Sequence, residues 1–254
     1  MENLTPAEDP RCGLPEEARA AGYKTIFTRR DVRGQFLHDP IPDDVLSRVL
    51  MAAHHAPSVG FMQPWNFLVI KSKAVKQRVH TAFLAARAEE AESFESEERH
   101  KYKRLKLDGI LESPINLCIT CDHDRAGPSV LGRTHNMATD IYSTVCAVQN
   151  LWLAARAEGL GVRWVSIFKR TALQEILGIP EHITPIAYLC VGYVSHYLEK
   201  PELEIAGWRA RIPLEDLVFF DEWGRNRCEW SDAVVDRLRH DQEQERMGIF
   251  AAGG

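Results

Sequence analysis

The sequence predicts an α+β or α/β fold, with helices and strands alternating around an apolar core. Three observations carry this. Apolar residues recur at helical spacing in two clear runs, and short stretches rich in branched and aromatic residues lie around them. No internal repeat or low-complexity tract interrupts the 254 residues. Hydrophobic residues make up 45% and charged residues 26%, enough for a sizeable core.

The elements follow in order. Residues 1–22 are polar, carry Pro10 and Pro15, and read as a mobile arm. KTIFTRRDVRGQF (24–36) then sets Arg29, Arg30 and Arg33 beside the apolar anchors Ile26 and Phe27. A helix starts at Pro42 and Asp43, with Val45, Val49 and Ala53 on one face, and stops before Pro57. The loop APSVGFMQP leads into a strand over 65–72. Residues 73–108 are charged and helix-prone, with Val75, Val79 and Phe83 as a sparse apolar face. The densest part, about 89–108, reads either as a solvated helix face or as a lid over a site.

INLCITCD (115–122) is a second strand. The next helix has the clearest stripe, Met137, Ile141, Val145, Val148, Trp152 and Ala155, and ends at Gly159. Strands over 162–168 and 186–194 flank a short helix closed by Gly178 and Pro180. Residues 202–225 lack a regular pattern yet hold Trp208, Phe219, Phe220 and Trp223. Wrapping over a partner subunit would bury them.

Several function classes lose support. A net charge of −5 gives no basic excess for nucleic acid. No apolar run reaches the roughly 18 residues of a membrane span, and the N-terminus lacks a secretory apolar core. Six scattered cysteines fit a reducing cytoplasm, and Cys118 with Cys121, a CxxC inside a strand, reads as core packing. There is no dinucleotide fingerprint, no P-loop and no paired metal-ligand spacing, so no metal is expected.

RRDVR (29–33) crowds Arg29, Arg30 and Arg33 around Asp31. Arginine forks suit a phosphate, and a surface cluster balanced by acids would look the same. Arg209 and Arg211 form a second basic pair, an anion partner or a solvated pair. Ser58, Gly60 and Gln63 offer groups that hydrogen-bond a heterocycle edge, in a turn of common composition. His54 and His55 fit helix capping better than catalysis.

RRDVR, APSVGFMQPWNF, GLGVRWVSIF after a long helix, and RARIPLEDL, in that order, resemble the nitroreductase and flavin reductase superfamily over about residues 23–225. SVGFMQPWNFLVI, STVCAVQNLWLAARAEGLG, IAYLCVGYV, PLEDLVFFDEWG and the Asp of RRDVR resemble its flavin-fragmenting branch, whose members make 5,6-dimethylbenzimidazole. The resemblance implies an α+β nitroreductase-like fold, with a mixed central sheet flanked by helices and a C-terminal segment embracing the partner. It implies a homodimer with FMN in the interface and an FMN-binding domain over 23–225. A C-terminal extension over 226–254 is left without a role.

Carried onto this chain, Arg29, Arg30 and Arg33, with Asp31 and Val32 in the same turn, would hold the phosphate and ribityl chain. Arg211 would close on the phosphate, with Arg209 a weaker candidate. Ser58 would reach the partner's isoalloxazine, and Val165, Ser166 and Ile167 would line the flavin. Many relatives have Ser where this chain has Asp31. Either Asp31 only orders the arginines, or it moves protons with Ser166 as its partner; the resemblance favours the second. The implied reaction consumes reduced FMN and dioxygen, ribityl C1′ becoming C2 of dimethylbenzimidazole and erythrose 4-phosphate leaving. A flavin reductase or NAD(P)H would supply the electrons. The competing expectations are an NAD(P)H-dependent FMN reductase of nitroaromatics, quinones or halogenated phenols, and a flavin-binding protein without turnover.

Overall fold

A computed structural model of the chain describes residues 13–246. Residues 29–209 form one compact unit, and the described residues on either side of them form a second.

The larger unit is built on a four-stranded sheet in the order β1-β2-β4-β3, with β1 at Trp65–Ile70, β2 at Ile115–Asp122, β3 at Leu160–Val165 and β4 at Ile183–Tyr193. Every pair is antiparallel, which narrows the implied mixed sheet. The parallel contribution is the isolated bridge from Asp31 to Val162. Central β2 is buried at seven consecutive residues, with Asn116 and Thr120 among its apolar side chains satisfied by hydrogen bonds. The register slips between Ile119 and Thr120, where Pro185 of β4 lacks a donor for the ladder.

Leu117 and Ile119 of β2 face a core shared with α2 (Asp43–His54) and α5 (Thr139–Ala157). Cys118 faces a second core with α3 (Lys73–Ala91) and α6 (Arg170–Leu177). Cys118 and Cys121 are fully buried on β2, in keeping with core packing. On α2 the buried residues are Val45, Val49 and Ala53, the face expected from spacing. Charged residues 89–108 comprise the end of α3 and α4 (Ser96–Arg104), whose one buried side chain is Tyr102.

The α5 stripe needs correction. Its C-terminal half is buried as expected at Val148, Trp152 and Ala155. In its N-terminal half the buried residues are Thr139, Asp140, Ser143, Thr144 and Ala147, whereas Met137, just before the helix, is 67% exposed and Val145 lies open. Small and polar residues let α5 approach the sheet and the 58–63 loop, and the apolar face turns outward.

Residues 202–209 contain the short α7 (Glu202–Ile205), and Trp208 packs edge-on against Phe94 at 5.5 Å within the same unit. In the smaller unit, residues 16–28 of the expected arm and its junction form helix α1 (Glu16–Thr28), with no buried residue. Residues 1–12 lie outside the described residues. Phe220 is buried against Trp230, and Trp223 is almost fully exposed. Helix α8 (Asp232–Arg246) follows in the stretch read only as an extension.

Candidate active site around Asp31

RRDVR docks onto β3 through its backbone. Val32 N–H donates to Val162 O at 3.0 Å. Gly161 makes this approach possible, because a Cβ there would run into the Val32 and Val194 side chains. Asp31 is thereby laid over the strand. Its Oδ1 accepts from the Trp164 backbone N–H at 3.2 Å, and its Oδ2 accepts from the Arg163 guanidinium. Arg33 lies 3.6 Å from the same Oδ2.

Both arginines are buried. Arg33 donates to Lys106 O at 3.0 Å and Arg163 to Leu107 O at 2.9 Å, just beyond α4. Burial pushes Arg163 down to about 10 and lowers Arg33 as well, while Cys190 and then Glu202 of α7 pull Arg163 back up and Glu202 does so for Arg33. Contact with the Asp31 carboxylate acts in the same sense as Glu202 and favours charged guanidinium groups. Arg33 faces the carboxylate and the Lys106 carbonyl in this chain. Arg163 was missed by sequence reasoning, although a lone charge within the apolar run GLGVRWVSIF was a usable signal.

The Arg29 guanidinium lies over the Trp152 ring at 4.8 Å. Arg30 donates to Arg29 O at 2.8 Å and also to Glu199 O. Val165 is buried, Ile167 is half-buried against the second core, and Ser166 is exposed at the end of β3. Trp164, Val165, Ser166, Phe168 and Tyr188 line a cavity of about 220 Å³ there. Arg209 sits 4.0 Å from Glu98 of α4, so an acid of the charged segment takes it up. Arg211 is exposed and belongs to the smaller unit.

Ser58 opens a strained loop. Gly60, Phe61 and Gln63 have φ of 58°, 53° and 46°, the left-handed region that costs ordinary residues of order 1–3 kcal/mol. The conformation is held by Gln63 N–H to Ser58 Oγ at 3.2 Å and Val59 N–H to Ser143 Oγ at 3.1 Å. Phe61 consequently projects outward, 82% exposed. His55 Nδ1 lies 2.8 Å from Met51 O at the end of α2, as capping requires, whereas His54 Nδ1 accepts from Trp65 Nε1.

A further polar cluster joins Cys121, His123 and Asp140. His123 bridges Asp140 at 2.7 Å and Thr184 at 2.8 Å, and Arg133 lies 4.0 Å from Asp140. That guanidinium already balances the carboxylate and opposes a second cation, so the cluster ties β2 to α5 and β4.

Residues 26–193 match the nitroreductase family. The chain is 40% identical over 194 residues to a 5,6-dimethylbenzimidazole synthase of Rhodospirillum rubrum, covering 76% of this chain and 91% of that one. It is 37% identical to the protein of that name from Rhodobacter capsulatus, covering 78% and 95%. Among solved structures, iodotyrosine deiodinase bound to FMN and 3-iodo-L-tyrosine superposes with a TM-score of 0.63 at 20% identity, over 80% of this chain and 100% of that one.

Proposed function

The chain belongs to the nitroreductase family and, within it, to the 5,6-dimethylbenzimidazole synthases, and from that premise we propose that it fragments reduced FMN with dioxygen. The flavin is divided into 5,6-dimethylbenzimidazole, the lower ligand of vitamin B12, erythrose 4-phosphate, and a third fragment that carries off the pyrimidine half of the isoalloxazine. The observation that carries the reading is Asp31, a carboxylate held by hydrogen bonds to both oxygens over β3, the strand that exposed Ser166 directly follows.

The residues present fit a flavin mononucleotide. Arg29 and Arg30 supply cationic donors for a phosphate, and Arg211 is a third candidate. Trp164, Phe168 and Tyr188 around the cavity supply aromatic walls for a ring system. About 220 Å³ from one chain falls below the roughly 300–1,000 Å³ usual for such sites, in keeping with a second subunit completing it. FMN, once reduced, would supply the electrons for dioxygen and the carbons of the product.

The chain's own residues would do the rest. Arg29 and Arg30 fix the phosphate, and Ser58 reaches the partner's flavin. Val165 and Ile167 keep the ring's surroundings dry. Asp31 and Ser166 move protons on the ribityl side. Arg33 orients Asp31. Residues 89–108 help to exclude water, and a separate flavin reductase or NAD(P)H supplies reducing power.

The test is anaerobic photoreduction of bound FMN, then oxygen, then analysis of the small molecules. Dimethylbenzimidazole in stoichiometric yield is expected. Intact reoxidised FMN would sink the proposal, and NADPH-driven turnover would then separate a conventional reductase from a flavin-binding protein.

A further inference from the structure

We infer that Arg163 is a positioning residue for this reaction: it fixes the carboxylate of Asp31 and ties it to the backbone that ends the charged segment. The inference rests on Asp31 acting as a proton-transfer group. Arg163 sits in an apolar strand and is 7% exposed. Burying a guanidinium is expensive, by several kcal/mol after relaxation, so its partners must be specific.

The guanidinium has two acceptors: Asp31 Oδ2 and, at 2.9 Å, Leu107 O. Its buried Nε has no partner, so the side chain is not placed for full satisfaction of its own donors. The neighbouring Trp164 N–H takes the other carboxylate oxygen at 3.2 Å. Consecutive residues of one strand thus grip both oxygens of Asp31, one through side chain and one through backbone. That fixes the plane of the carboxylate as well as its place.

Arg33 approaches the same oxygen only at 3.6 Å and donates to Lys106 O. The two arginines therefore connect Asp31 to residues 106 and 107, and any shift of that backbone is felt at the carboxylate. The charged groups bearing on Asp31 are Arg33 from its own segment and Arg163 from β3, with Glu202 of α7 acting on both arginines and Cys190 of β4 on Arg163. A carboxylate displaced by about 1 Å loses on the order of 10²-fold in rate.

The experiment compares Arg163→Met and Arg163→Lys with the wild type, and repeats Arg163→Met on an Asp31→Asn background. FMN affinity, read by flavin fluorescence, should change less than about threefold in both single variants. Dimethylbenzimidazole formed per reduced FMN supplied should fall about tenfold or more, with oxidised FMN recovered instead. In Arg163→Met the acid limb of the yield profile should move to higher pH, because losing a cation disfavours the charged carboxylate. Arg163→Lys should keep that limb in place while losing yield, since it restores charge without the planar fork. On Asp31→Asn, Arg163→Met should cause no further loss.

Normal yield in either folded Arg163 variant, or losses that multiply on the Asn background, would overturn the inference. Should the Met variant fail to fold, the Lys variant decides. A wild-type reaction without dimethylbenzimidazole would refute the functional reading instead. The pair is then judged on apoprotein: in urea unfolding, the two substitutions should be non-additive by about tenfold in the equilibrium constant. Additive effects would dismiss the link.

Discussion

Asp31 is held by buried cations, and replacing it with Asn separates binding from chemistry. The amide keeps an oxygen for Arg163 or for the Trp164 N–H and removes a negative charge near the phosphate donors. Asp31→Asn should therefore bind FMN at least as well as the wild type. Its dimethylbenzimidazole yield in a single turnover should fall by about 10²-fold or more, the scale of a lost acid–base group. Ser166→Ala should uncouple in the same way, less severely. A normal yield from the Asn variant would leave Asp31 as an organiser of arginines. Arg211→Ala addresses the phosphate: FMN should bind more weakly by about 1.5–3 kcal/mol, with riboflavin affinity unchanged. Equal losses for both ligands, measured by fluorescence titration, would remove Arg211 from that role.

At the scale of elements, the 58–63 loop and β2 make opposite demands. The loop stores strain, and Gly60 is its tightest point: a Cβ would lie 2.7 Å from Val130 Cγ1 and 2.8 Å from Leu131 O, at φ 58°. Gly60→Ala should lower stability by about 1–3 kcal/mol and weaken FMN binding through displacement of Ser58. Chemical unfolding and titration together check this, and an unperturbed variant would mean the loop relaxes freely. Strand β2 instead buries thiols. Burial pushes Cys118 up to about 12 and Cys121 up to about 11, from an ordinary value of 9.0. From pH 9 up to the folded values the unfolded chain loses protons that the folded chain keeps, so stability is full below pH 9 and falls as pH rises through 9 to about 12. The loss is on the order of 1 kcal/mol per unit of separation. Urea midpoints at pH 8 and pH 10.5 should show the fall, and Cys118→Ala should lessen it while Cys121 and Cys190 keep the rest; a pH-independent midpoint would contradict the assignment.

For the whole molecule, the exposed apolar residues carry the argument. Phe61 is 82%, Leu131 86% and Met137 67% exposed in the larger unit, with Tyr142 and Val145 also open on α5. Exposed patches of this kind mark interfaces. We predict a stable homodimer in sedimentation, burying on the order of 2,000 Å² or more. Met137→Glu should shift it towards monomer and weaken FMN binding in parallel. A wild-type monomer that binds FMN at micromolar concentration would end the proposal. Among the described residues, no helix is long and apolar enough to cross a membrane.

Much of this was legible from the chain alone, because local periodicity reports local structure. Helix α2, strand β2 and its buried cysteines, and the short helix ending at Gly178 follow from spacing and end signals. The family follows from ordered strings around Asp31, Ser58 and Ser166. Tertiary structure decided what depends on partners distant in sequence. Spacing marked Met137 and Val145 as core, but side-chain volume at the contacts chose Ser143, Thr144 and Ala147 for α5's inner face. RRDVR read as three similar arginines. Docking on β3 sent Arg33 inward to Lys106 O, set Arg29 over Trp152, and paired Asp31 with Arg163, 132 residues away. A pattern in one segment states which residues are apolar or charged. Which charge meets which is set by the energy of burying both together, and only the folded chain brings them close enough for that energy to act.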